Sequence, residues 1–598
     1  MIVKISDYIA DFLVKNGIRH AFTITGGGAM HLNDSLGHKE GLHCIYNHHE
    51  QACAIAAEGY CRLSGDLAAV CVTSGPGGTN ALTGVLGGWL DSIPMFIISG
   101  QVKQETTIHA ADVPLRQLGD QEFNITDCVA PMTKYAKFLN NPKEVSYHLE
   151  KALYLCKSDR GGPVWLDVPL DIQAAKVDTE EMIHFDPSEL EKVVPAYDEK
   201  ITEQIIEKIK TAKRPVILAG TGIRLGKAHD EFIQVIDKLN IPVVTAWNAH
   251  DVLWNDHPLY CGRPGTIGTR GGNFVVQNSD LLITLGCRLN IRQISYTYKE
   301  FAKLAYKIIV DIDKAELQKP TISPDLPVHA DVKDVLQSLL ASGFENHDNK
   351  EQQEWLQWCR DIDSKYPAVL PEYYEMKSPV NPYVFMDKLF ENLEENETII
   401  TGNGSACVIS FQAAVIKKGQ RLFTNSGCAT MGYGVPSAIG GNFATDGKRV
   451  ICLDGDGSIQ MNLQELQTIV HNQCNIKLFV LNNEGYHSMR QTQSNMFKGD
   501  LCGVSASNGV SFPDMEKIAY AYGIPYLKVS SLDDMEENIR KTLQTEGPVM
   551  CEVMLDKAQF FAPKLSSKVL PDGNIVSPEI DDLYPFLDRE EYLANKKF

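Results

Sequence analysis

Two short motifs in the last third of the chain could together hold a divalent cation and a diphosphate. The tetrapeptide GDGS at 455–458 ends one apolar run, and the pair NN at 482–483 ends the next. In a parallel sheet both would lie at the carboxyl edge, where ligands bind. Asp456, Asn483 and the carbonyl of Gly485 would offer the oxygen ligands that Mg²⁺ prefers. Either motif alone is typical of an ordinary turn; the pair predicts a metal–diphosphate site.

Two further segments, far apart in the sequence, are relevant to this predicted site. They are NHHEQACAIAAEGY at 47–60, which contains Glu50, and CATMGYG at 428–434, which contains Met431. Alone, a glutamate at a helix start is typical of an exposed residue and a methionine is typical of a core. Together with the GDGS and NN motifs, these segments resemble thiamine-diphosphate enzymes over nearly the whole chain, most closely the acetolactate synthase large-subunit group.

The resemblance implies a role for each segment. Glu50 is the implied catalytic residue: it would bond N1′ of the pyrimidine and favour the tautomer whose 4′-nitrogen takes the C2 proton. Met431 would hold the cofactor in its bent form, and the carbonyl of Ala429 would accept the 4′-amino hydrogen. Asp456, Asn483 and Gly485 are the implied metal ligands. The implied cofactor-binding residues are Glu50, Gly404, Ser405, Ala429, Met431, Gly455, Asp456, Gly457, Ser458, Asn483, Gly485, Tyr486 and His487.

The middle of the chain contains a second set of glycines, arginines and aspartates. Gly220 and Gly222 after an apolar run are by themselves typical of a simple strand–helix turn. With GTRG at 268–271 and GCRLNIR at 286–292, they resemble the FAD-binding elements of acetolactate synthases. Asn290 departs from the family's aspartate, and a domain that keeps only the fold is the alternative. The implied flavin-binding residues are Gly220, Gly222, Thr245, Gly268, Thr269, Arg270, Gly271, Arg288, Asn290, Arg292, Asp311, Ile312, Asp331 and Val332.

Several positions depart from the acetolactate synthase pattern and bear on the substrate. Thr492 stands where that group has a tryptophan, and Asn124 follows Phe123 where a glutamine is usual. A smaller side chain would widen the acceptor pocket, and the guanidinium of Arg490 would bind a carboxylate or phosphate. Ser405 and Ala406 replace a Gln-His pair. The predicted substrate residues are Gly27, Phe123, Asn124, Arg490 and Thr492.

The expected activity is that of a carboligase which decarboxylates a 2-oxo acid, with pyruvate as donor, and joins the acyl unit to a carbonyl acceptor. Acetolactate synthesis is the default. The departures, with the tail at 577–591, resemble a yersiniose synthase-like subgroup that transfers acetyl to keto-sugar nucleotides. A pyruvate oxidase or decarboxylase activity and a catalytically inactive binding protein are further alternatives. The resemblance also implies a homodimer or homotetramer, since the family's glutamate and metal motif meet across a subunit interface.

The elements that must position these residues form three blocks of apolar runs alternating with longer helical stretches. This pattern predicts an α/β fold of three doubly wound domains with mostly parallel sheets, plus a C-terminal tail. The expected boundaries are 1–175 for the pyrimidine-binding domain, 176–200 for a linker, 201–340 for the FAD-binding-like domain, 341–378 for a second linker, 379–557 for the diphosphate- and Mg-binding domain, and 558–598 for the tail. The predicted strands are 21–26, 42–47, 68–75, 94–101, 162–171, 215–220, 242–247, 281–286, 307–313, 398–404, 449–457, 477–485 and 548–555.

Composition excludes several other classes. The 598 residues include 56 Lys and Arg against 76 Asp and Glu, a net charge of −20, which disfavours nucleic acid and anionic membranes as partners. No apolar run approaches the roughly 20 residues that span a bilayer. The 15 cysteines are scattered, without a C-x-x-C motif, and indicate free thiols in a reducing compartment, so a cytoplasmic location is expected.

Overall fold

The structure, a computed structural model, describes residues 1–497, 499–569, 572 and 574–597. Three α/β units follow one another along the chain: the N block (Ile2–Asp178), the central block (Glu199–Ala341) and the C block (Pro382–Met554). The charged segment at 341–378 and the C-terminal tail pack against these blocks, as described below.

The strands are β1 (Ile2–Lys4), β2 (His20–Thr23), β3 (His43–Tyr46), β4 (Ala69–Val72), β5 (Phe96–Gln101), β6 (Tyr135–Phe138), β7 (Val164–Pro169), β8 (Lys176–Asp178), β9 (Pro215–Ala219), β10 (Val243–Thr245), β11 (Leu281–Leu285), β12 (Tyr306–Asp311), β13 (Leu326–His329), β14 (Thr398–Thr401), β15 (Arg421–Phe423), β16 (Val450–Gly455), β17 (Ile476–Asn482), β18 (Tyr526–Val529), β19 (Val549–Met554), β20 (Lys568–Val569) and β21 (Ile575–Val576).

The helices are α1 (Ile5–Lys15), α2 (Met30–Gly37), α3 (Glu50–Ser64), α4 (Pro76–Asp91), α5 (Ile125–Val129), α6 (Val145–Lys157), α7 (Leu170–Ala174), α8 (Glu199–Thr211), α9 (Gly222–Leu225), α10 (His229–Leu239), α11 (Arg270–Gln277), α12 (Ile291–Ile294), α13 (Lys314–Gln318), α14 (Val332–Ala341), α15 (Lys350–Lys365), α16 (Pro382–Asn392), α17 (Ser405–Ala413), α18 (Gly434–Ala444), α19 (Glu465–His471), α20 (His487–Met496), α21 (Met515–Tyr522), α22 (Leu532–Gln544) and α23 (Arg589–Ala594).

Each block is built on one parallel sheet. The strand order is β3-β2-β4-β5-β7-β6 in the N block, β10-β9-β11-β12-β13 in the central block and β15-β14-β16-β17-β19-β18 in the C block. If the strands of each sheet are numbered along the chain, both outer sheets read 2-1-3-4-6-5 and the central sheet reads 2-1-3-4-5. The predicted α/β fold of three doubly wound units is confirmed. In every block, the order reverses between the first and third strands, the point where such folds bind ligands.

The strands form because their apolar residues are buried on both faces. All residues of β4, β5, β7, β9 and β11 are buried, as parallel strands covered by helices require. The sequence analysis located all the long central strands. Within the three parallel sheets it missed β6, β13, β15 and β18, short strands of three or four residues whose runs are interrupted by polar or exposed side chains. It also missed the short antiparallel strands β1, β8, β20 and β21.

The N and C blocks meet through two equivalent helices. α3 follows the second strand of the N sheet, and α18 follows the second strand of the C sheet. Glycines allow the helices to touch: a Cβ on Gly440 would lie 1.9 Å from the carbonyl oxygen of Ala56, and one on Gly59 would lie 2.4 Å from Ser437 Oγ. The core beneath this crossing is shared by both blocks, so their relative position is fixed by packing.

The segments expected to be linkers are partly structured. β8 lies in 176–200 and pairs antiparallel with β1. The segment 341–378 contains α15, whose Trp355 and Cys359 are buried in the central core, and Trp355 Nε1 donates to the carbonyl of Pro215 at 3.0 Å. That helix therefore packs as part of the central block.

The C-terminal tail covers the central block. Ile580 and Leu583 are buried, and Asn278 Nδ2 donates to the carbonyl of Asn595 at 3.0 Å. Tyr592 packs against the central core beside Phe274. All 15 cysteines are free, and most are buried. None of the helices in the described residues is long and apolar enough to cross a membrane.

Candidate cofactor and substrate sites

The turn after β16 holds a buried carboxylate at the carboxyl edge of the C sheet. Asp456 is 2% exposed; its Oδ1 accepts from the amide of Gly457 at 3.0 Å, and its Oδ2 from the amide of Gly485 at 3.0 Å. Burial raises the pKa of the Asp456 carboxyl to about 7, although these amides oppose the rise. A cation at this edge would favour the charged carboxylate.

Asn483, directly after β17, completes the edge. Its side chain is buried, and Nδ2 donates to Ser405 Oγ at 3.3 Å. Asn483 Oδ1 is buried and has no hydrogen-bond partner. A buried oxygen without a donor is costly, and a divalent cation shared with Asp456 would satisfy it. The residues present therefore fit an oxygen-ligated metal of the Mg²⁺ type.

The segment at 425–433 follows β15 and reaches the same edge of the C sheet. Ala429 has φ +53°, which directs the backbone through a sharp turn before Met431. The segment is fixed to the GDGS turn: the amide of Gly432 donates to Ser458 Oγ at 3.0 Å, and Asn462 Nδ2 donates to the carbonyl of Gly432 at 2.7 Å. The predicted cofactor residues of these two loops thus share one edge.

Of the remaining predicted cofactor residues in the C block, Gly404 and Tyr486 lie near the GDGS turn or α17, whereas His487 contacts the tail. Gly404, with φ +71°, directly precedes α17, and the ring of Tyr486 covers Gly457, where a Cβ would lie 2.5 Å from the ring. His487 belongs elsewhere: its Nε2 faces the carbonyl of Gln559 in the tail at 3.0 Å. Burial, and then the Arg490 cation, lower the pKa of His487 to about 4. The structure therefore gives this neutral histidine a role in holding the tail.

Glu50 is the first residue of α3 in the N block and is partly exposed. Its carboxylate accepts from Asn80 Nδ2 at 2.9 Å. The residues beside it are held by the C block, since Gln51 Oε1 accepts from Asn462 Nδ2 at 2.9 Å and the amide of His48 donates to Glu465 at 2.9 Å. Packing between the blocks therefore fixes the start of this helix.

The guanidinium of Arg490, predicted to bind a carboxylate or phosphate of the substrate, contacts backbone carbonyls in the structure. It is buried on α20 and donates to the carbonyls of Asn483 at 3.1 Å and Glu484 at 3.0 Å. Those bonds occupy the guanidinium because the turn after β17 leaves its carbonyls pointing at the helix. Arg490 thus shapes the Asn483 turn. Thr492, one face round the same helix, is exposed, and its Oγ1 donates to the carbonyl of Ser488 at 2.9 Å.

The substrate residues predicted in the N block lie in two loops. Gly27 is exposed in the turn after β2, and a Cβ there would meet open space. Phe123 is 38% exposed. The side chain of Asn124 is occupied locally, with Nδ2 donating to Asp127 at 2.8 Å and Oδ1 accepting from Thr126 at 2.9 Å, so only Gly27 and Phe123 present free surface.

A cavity of about 620 Å³ lies at the carboxyl edge of the central sheet. It opens where the strand order reverses, between β9 and β11, and the N block and Ser426 of the C block close its other side. A Cβ on Gly220 would lie 2.2 Å from the carbonyl oxygen of Gly286, so glycine is required for the two loops to pass. The position and size suit a dinucleotide.

Eight of the fourteen predicted flavin residues line this cavity. Those that line it are Gly220, Gly222, Arg288, Asn290, Asp311, Ile312, Asp331 and Val332. Burial raises the pKa of Asp311 to about 6, against the opposing amide of Asp313, and hydrogen bonds from ribose hydroxyls would favour its charged form.

The other six flavin candidates lie outside the lining of this cavity. Thr245 is buried and faces His250. A Cβ on Gly268 or Gly271 would meet the backbone of Arg263 or Asp363. Thr269 caps α11, and Arg270 donates to the tail carbonyls of Leu583 and Pro585. Arg292 lies over the ring of Trp247 at 4.9 Å. Packing explains the glycines of the GTRG segment: they let α11 approach α15 and the tail.

Sequence reasoning missed the N-block wall of the cavity. Arg62 on α3, Asp91 at the end of α4 and Arg160 in the loop after α6 line it. Glu58 and Arg62 at helical i and i+4 spacing were a signal of an ion pair. Nothing in a single sequence showed that this pair would face a cavity formed with another block.

The class of the protein follows from these features together with sequence comparison. Models of thiamine pyrophosphate enzymes match the chain in order: the N-terminal TPP binding domain over residues 3–122, the central domain over 202–339 and the C-terminal TPP binding domain over 402–553. The chain belongs to the thiamine pyrophosphate enzymes, and the family prediction is confirmed.

Individual relatives show which thiamine pyrophosphate enzymes the chain is similar to. The acetolactate synthase isozyme 1 large subunit of Escherichia coli is 30% identical over 562 residues, covering 93% of this chain and 95% of the relative. The acetolactate synthase large subunit of Lactococcus lactis is 31% identical over 599 residues, covering 99% and 98%. That of Cyanidium caldarium is 31% identical over 569 residues, covering 93% and 94%. The similarity therefore extends through all three blocks.

Proposed function

We propose that the protein is a thiamine-diphosphate-dependent carboligase that decarboxylates pyruvate and transfers the two-carbon acyl unit to a carbonyl acceptor. The observation that carries this proposal is the pairing of buried Asp456 with the unpartnered Oδ1 of Asn483 at one sheet edge. The relatives named acetolactate synthase support the reaction class.

Thiamine diphosphate, when bound, supplies a carbanion that adds to a carbonyl and an electron sink that accepts the electrons released with CO₂. The chain's own residues would position and protect that chemistry. Asp456 and Asn483 would hold Mg²⁺ by oxygen, the amides beside the glycines of the GDGS turn would face a diphosphate, and Met431 would support the rings. Glu50 would hold a proton at its carboxyl group and pass it to the pyrimidine nitrogen.

We assign the central cavity to FAD in a non-redox role. Its support is the position at the strand reversal, the volume, and the eight predicted flavin residues that line it. Purified protein is expected to bind FAD and to remain yellow when pyruvate is added without oxygen. Rapid bleaching of the flavin by pyruvate would instead support an oxidase of the pyruvate oxidase kind.

The proposed assembly is at least a homodimer, with Glu50 of one subunit serving the metal site of the next. Exposed apolar side chains support self-association. In the N block they are Val113 and Leu118, between β5 and α5; in the C block they are Met489, Met496 and Phe497, on and after α20. The free, mostly buried cysteines support the proposal of a reducing cytoplasmic location.

The acceptor separates two versions of the proposal. An exposed, small Thr492 in the middle of α20 leaves room for a carbonyl acceptor larger than pyruvate, whereas the bonds of Arg490 to backbone carbonyls weaken one argument for an anionic acceptor. Acetolactate synthesis is therefore the first version, and acetyl transfer to a keto-sugar nucleotide is the second.

The test is mass spectrometry of the products formed from pyruvate alone, with 2-oxobutyrate and with a nucleotide-linked keto sugar. Pyruvate alone should yield a five-carbon ligation product with release of CO₂. The Thr492→Trp variant should suppress ligation to the keto-sugar nucleotide about tenfold or more and spare ligation to pyruvate. No ligation product with any acceptor, in protein shown to bind thiamine diphosphate, would contradict the carboligase proposal.

A further inference from the structure

The segment carrying Ala429 and Met431 is anchored at both ends by side chains of the N block. At its start, Asp91 at the end of α4 accepts from the amide of Ser426 on Oδ2 and from the amide of Gly427 on Oδ1, each at 2.8 Å. At its end, the hydroxyl of Tyr433 donates to Glu58 Oε2 at 2.6 Å. Both carboxylates are buried, so these charge-assisted bonds are shielded from water.

One arginine joins the two anchors. Arg62, on α3, is 7% exposed; its Nη2 lies 2.7 Å from Asp91 Oδ2 and also bonds Glu58. The two carboxylates hold the pKa of Arg62 well above its ordinary value although burial opposes this. A buried cation between two carboxylates fixes the side chains of α3 and α4 in one geometry, because removing either partner leaves an uncompensated buried charge.

The same residues form a wall of the central cavity. Arg62, Asp91 and Ser426 line it, as does Leu90. The carbonyl of Leu90 accepts from Arg288 Nη1 at 2.9 Å, and Arg288 is one of the predicted flavin residues that line the cavity. The end of α4 is therefore held on one side by a residue of the proposed flavin site and on the other by the segment that leads to Met431.

We infer that Asp91 and Arg62 are positioning residues that couple the central cavity to the thiamine-diphosphate site. A dinucleotide in the cavity presses on the wall formed by Leu90, Asp91 and Ser426 and so immobilises the segment from Asn425 to Tyr433. This inference rests on the proposed function, since it takes both cofactor assignments as given. It gives a bound but non-redox flavin a physical task, the ordering of the segment that supports the other cofactor.

Cys428 provides a direct probe of that segment, independent of turnover. It is half-buried between Gly427 and Ala429, and the described cysteines that are not buried, apart from it, are Cys44, Cys128 and Cys502. In full-length protein with those three changed to serine, the rate of alkylation of Cys428 reports how often the segment opens. Rates are measured across pH, because burial and the Asp91 charge both raise the pKa of this thiol and a variant would change the thiolate fraction as well as access.

The expected result is that FAD slows the pH-corrected alkylation of Cys428 about tenfold, and that Asp91→Asn accelerates it and abolishes the protection. Flavin fluorescence quenching measures FAD binding separately, and it should persist in the variant. Tyr433→Phe, which keeps the packing and removes one anchor, should show a smaller loss of protection. It provides a second test if Asp91→Asn fails to fold.

The matched control is Asp313→Asn. Asp313 also pairs with an arginine that lines the cavity, Arg160 at 2.9 Å, but it has no bond to the segment, so FAD should still protect Cys428. FAD that binds without slowing alkylation, or protection that survives in Asp91→Asn, would overturn the coupling. Absence of FAD binding would overturn the flavin assignment and the coupling together, while the alkylation rate without FAD would still decide whether Asp91 holds the segment.

Discussion

The N block and the C block have one topology and different chemistry. Both sheets have the order 2-1-3-4-6-5, and in both the second strand is followed by one of the two helices that cross at Gly59 and Gly440. Yet α3 begins with the acid Glu50, whereas α18 is preceded by Met431. The same architecture thus places an acid at the start of one helix and a methionine before the other, which the proposed function assigns to proton transfer and to support of the cofactor rings.

The loop after the third strand shows the same contrast. In the N block it begins with Thr73, whose Oγ1 accepts from the amide of Gly28 at 3.1 Å. This side chain therefore joins two loops of the N block. In the C block it begins with Asp456, beside the unpartnered oxygen of Asn483. The topology brings loops together at both edges; the residue types distinguish the edge that is proposed to hold a metal and diphosphate.

The largest expected effect comes from the acid of the N block. Glu50→Gln keeps the size of the side chain and removes the proton carrier, so turnover should fall about 10²–10⁴-fold. Thiamine diphosphate affinity should be nearly unchanged, because the proposed metal and diphosphate contacts lie in the other block. Steady-state rates and calorimetric titration of the cofactor measure the two effects. Turnover near that of the unmodified protein would contradict the role of Glu50.

Asp456→Ala should have the complementary effect. Losing the one charged ligand should weaken thiamine diphosphate and Mg²⁺ binding by more than the roughly 10–100-fold that loss of an outer-shell partner costs. The matched control is Thr73→Ala at the equivalent position of the N block, which should leave the affinity within about twofold and cost about 1 kcal/mol of stability. Equal losses of affinity in both variants would break the comparison between the two edges.

The position of the GDGS and NN motifs at the edge of the C sheet could be predicted from the sequence. The identical strand order of the N and C sheets could not. GDGS and NN follow apolar runs, so their place at a sheet edge followed from strand geometry. The shared strand order has no sequence signal, because β15 and β18 are short and the loop residues differ. The occupied guanidinium of Arg490 was equally hidden, since its partners are backbone carbonyls. That the GTRG segment lies outside the cavity lining could not be predicted, because glycines needed for packing have the same pattern as glycines needed for a ligand.

The helix crossing should be sensitive to volume from both sides. Gly440→Ala would place a methyl group 1.9 Å from the carbonyl of Ala56, which should cost about 3 kcal/mol or more, at the upper end for overpacked cores. Gly59→Ala meets the movable hydroxyl of Ser437 at 2.4 Å and its carbonyl oxygen at 2.7 Å, a smaller overlap with backbone, and should cost less. Thermal unfolding measures both, and Gly27→Ala, which meets open space, is the control. A tolerated Gly440→Ala would mean that the two blocks do not meet as tightly as described.

The smallest expected effect is the acid sensitivity that both blocks share. His148 of the N block and His487 of the C block are both buried, and burial is the main reason that the pKa of each falls to about 4. Each ring is neutral in the folded protein and takes a proton in the unfolded chain below about pH 6.5. The unfolded state therefore binds more protons, and stability present above pH 6.5 is lost as the pH falls towards 4. Each histidine should account for about 1–2 kcal/mol between pH 7.5 and pH 5. Urea unfolding at pH 7.5 and pH 5 should show a flatter pH dependence in His148→Gln and in His487→Gln, by similar amounts. An effect confined to one variant would show that the two blocks differ in their cores as well as at their ligand edges.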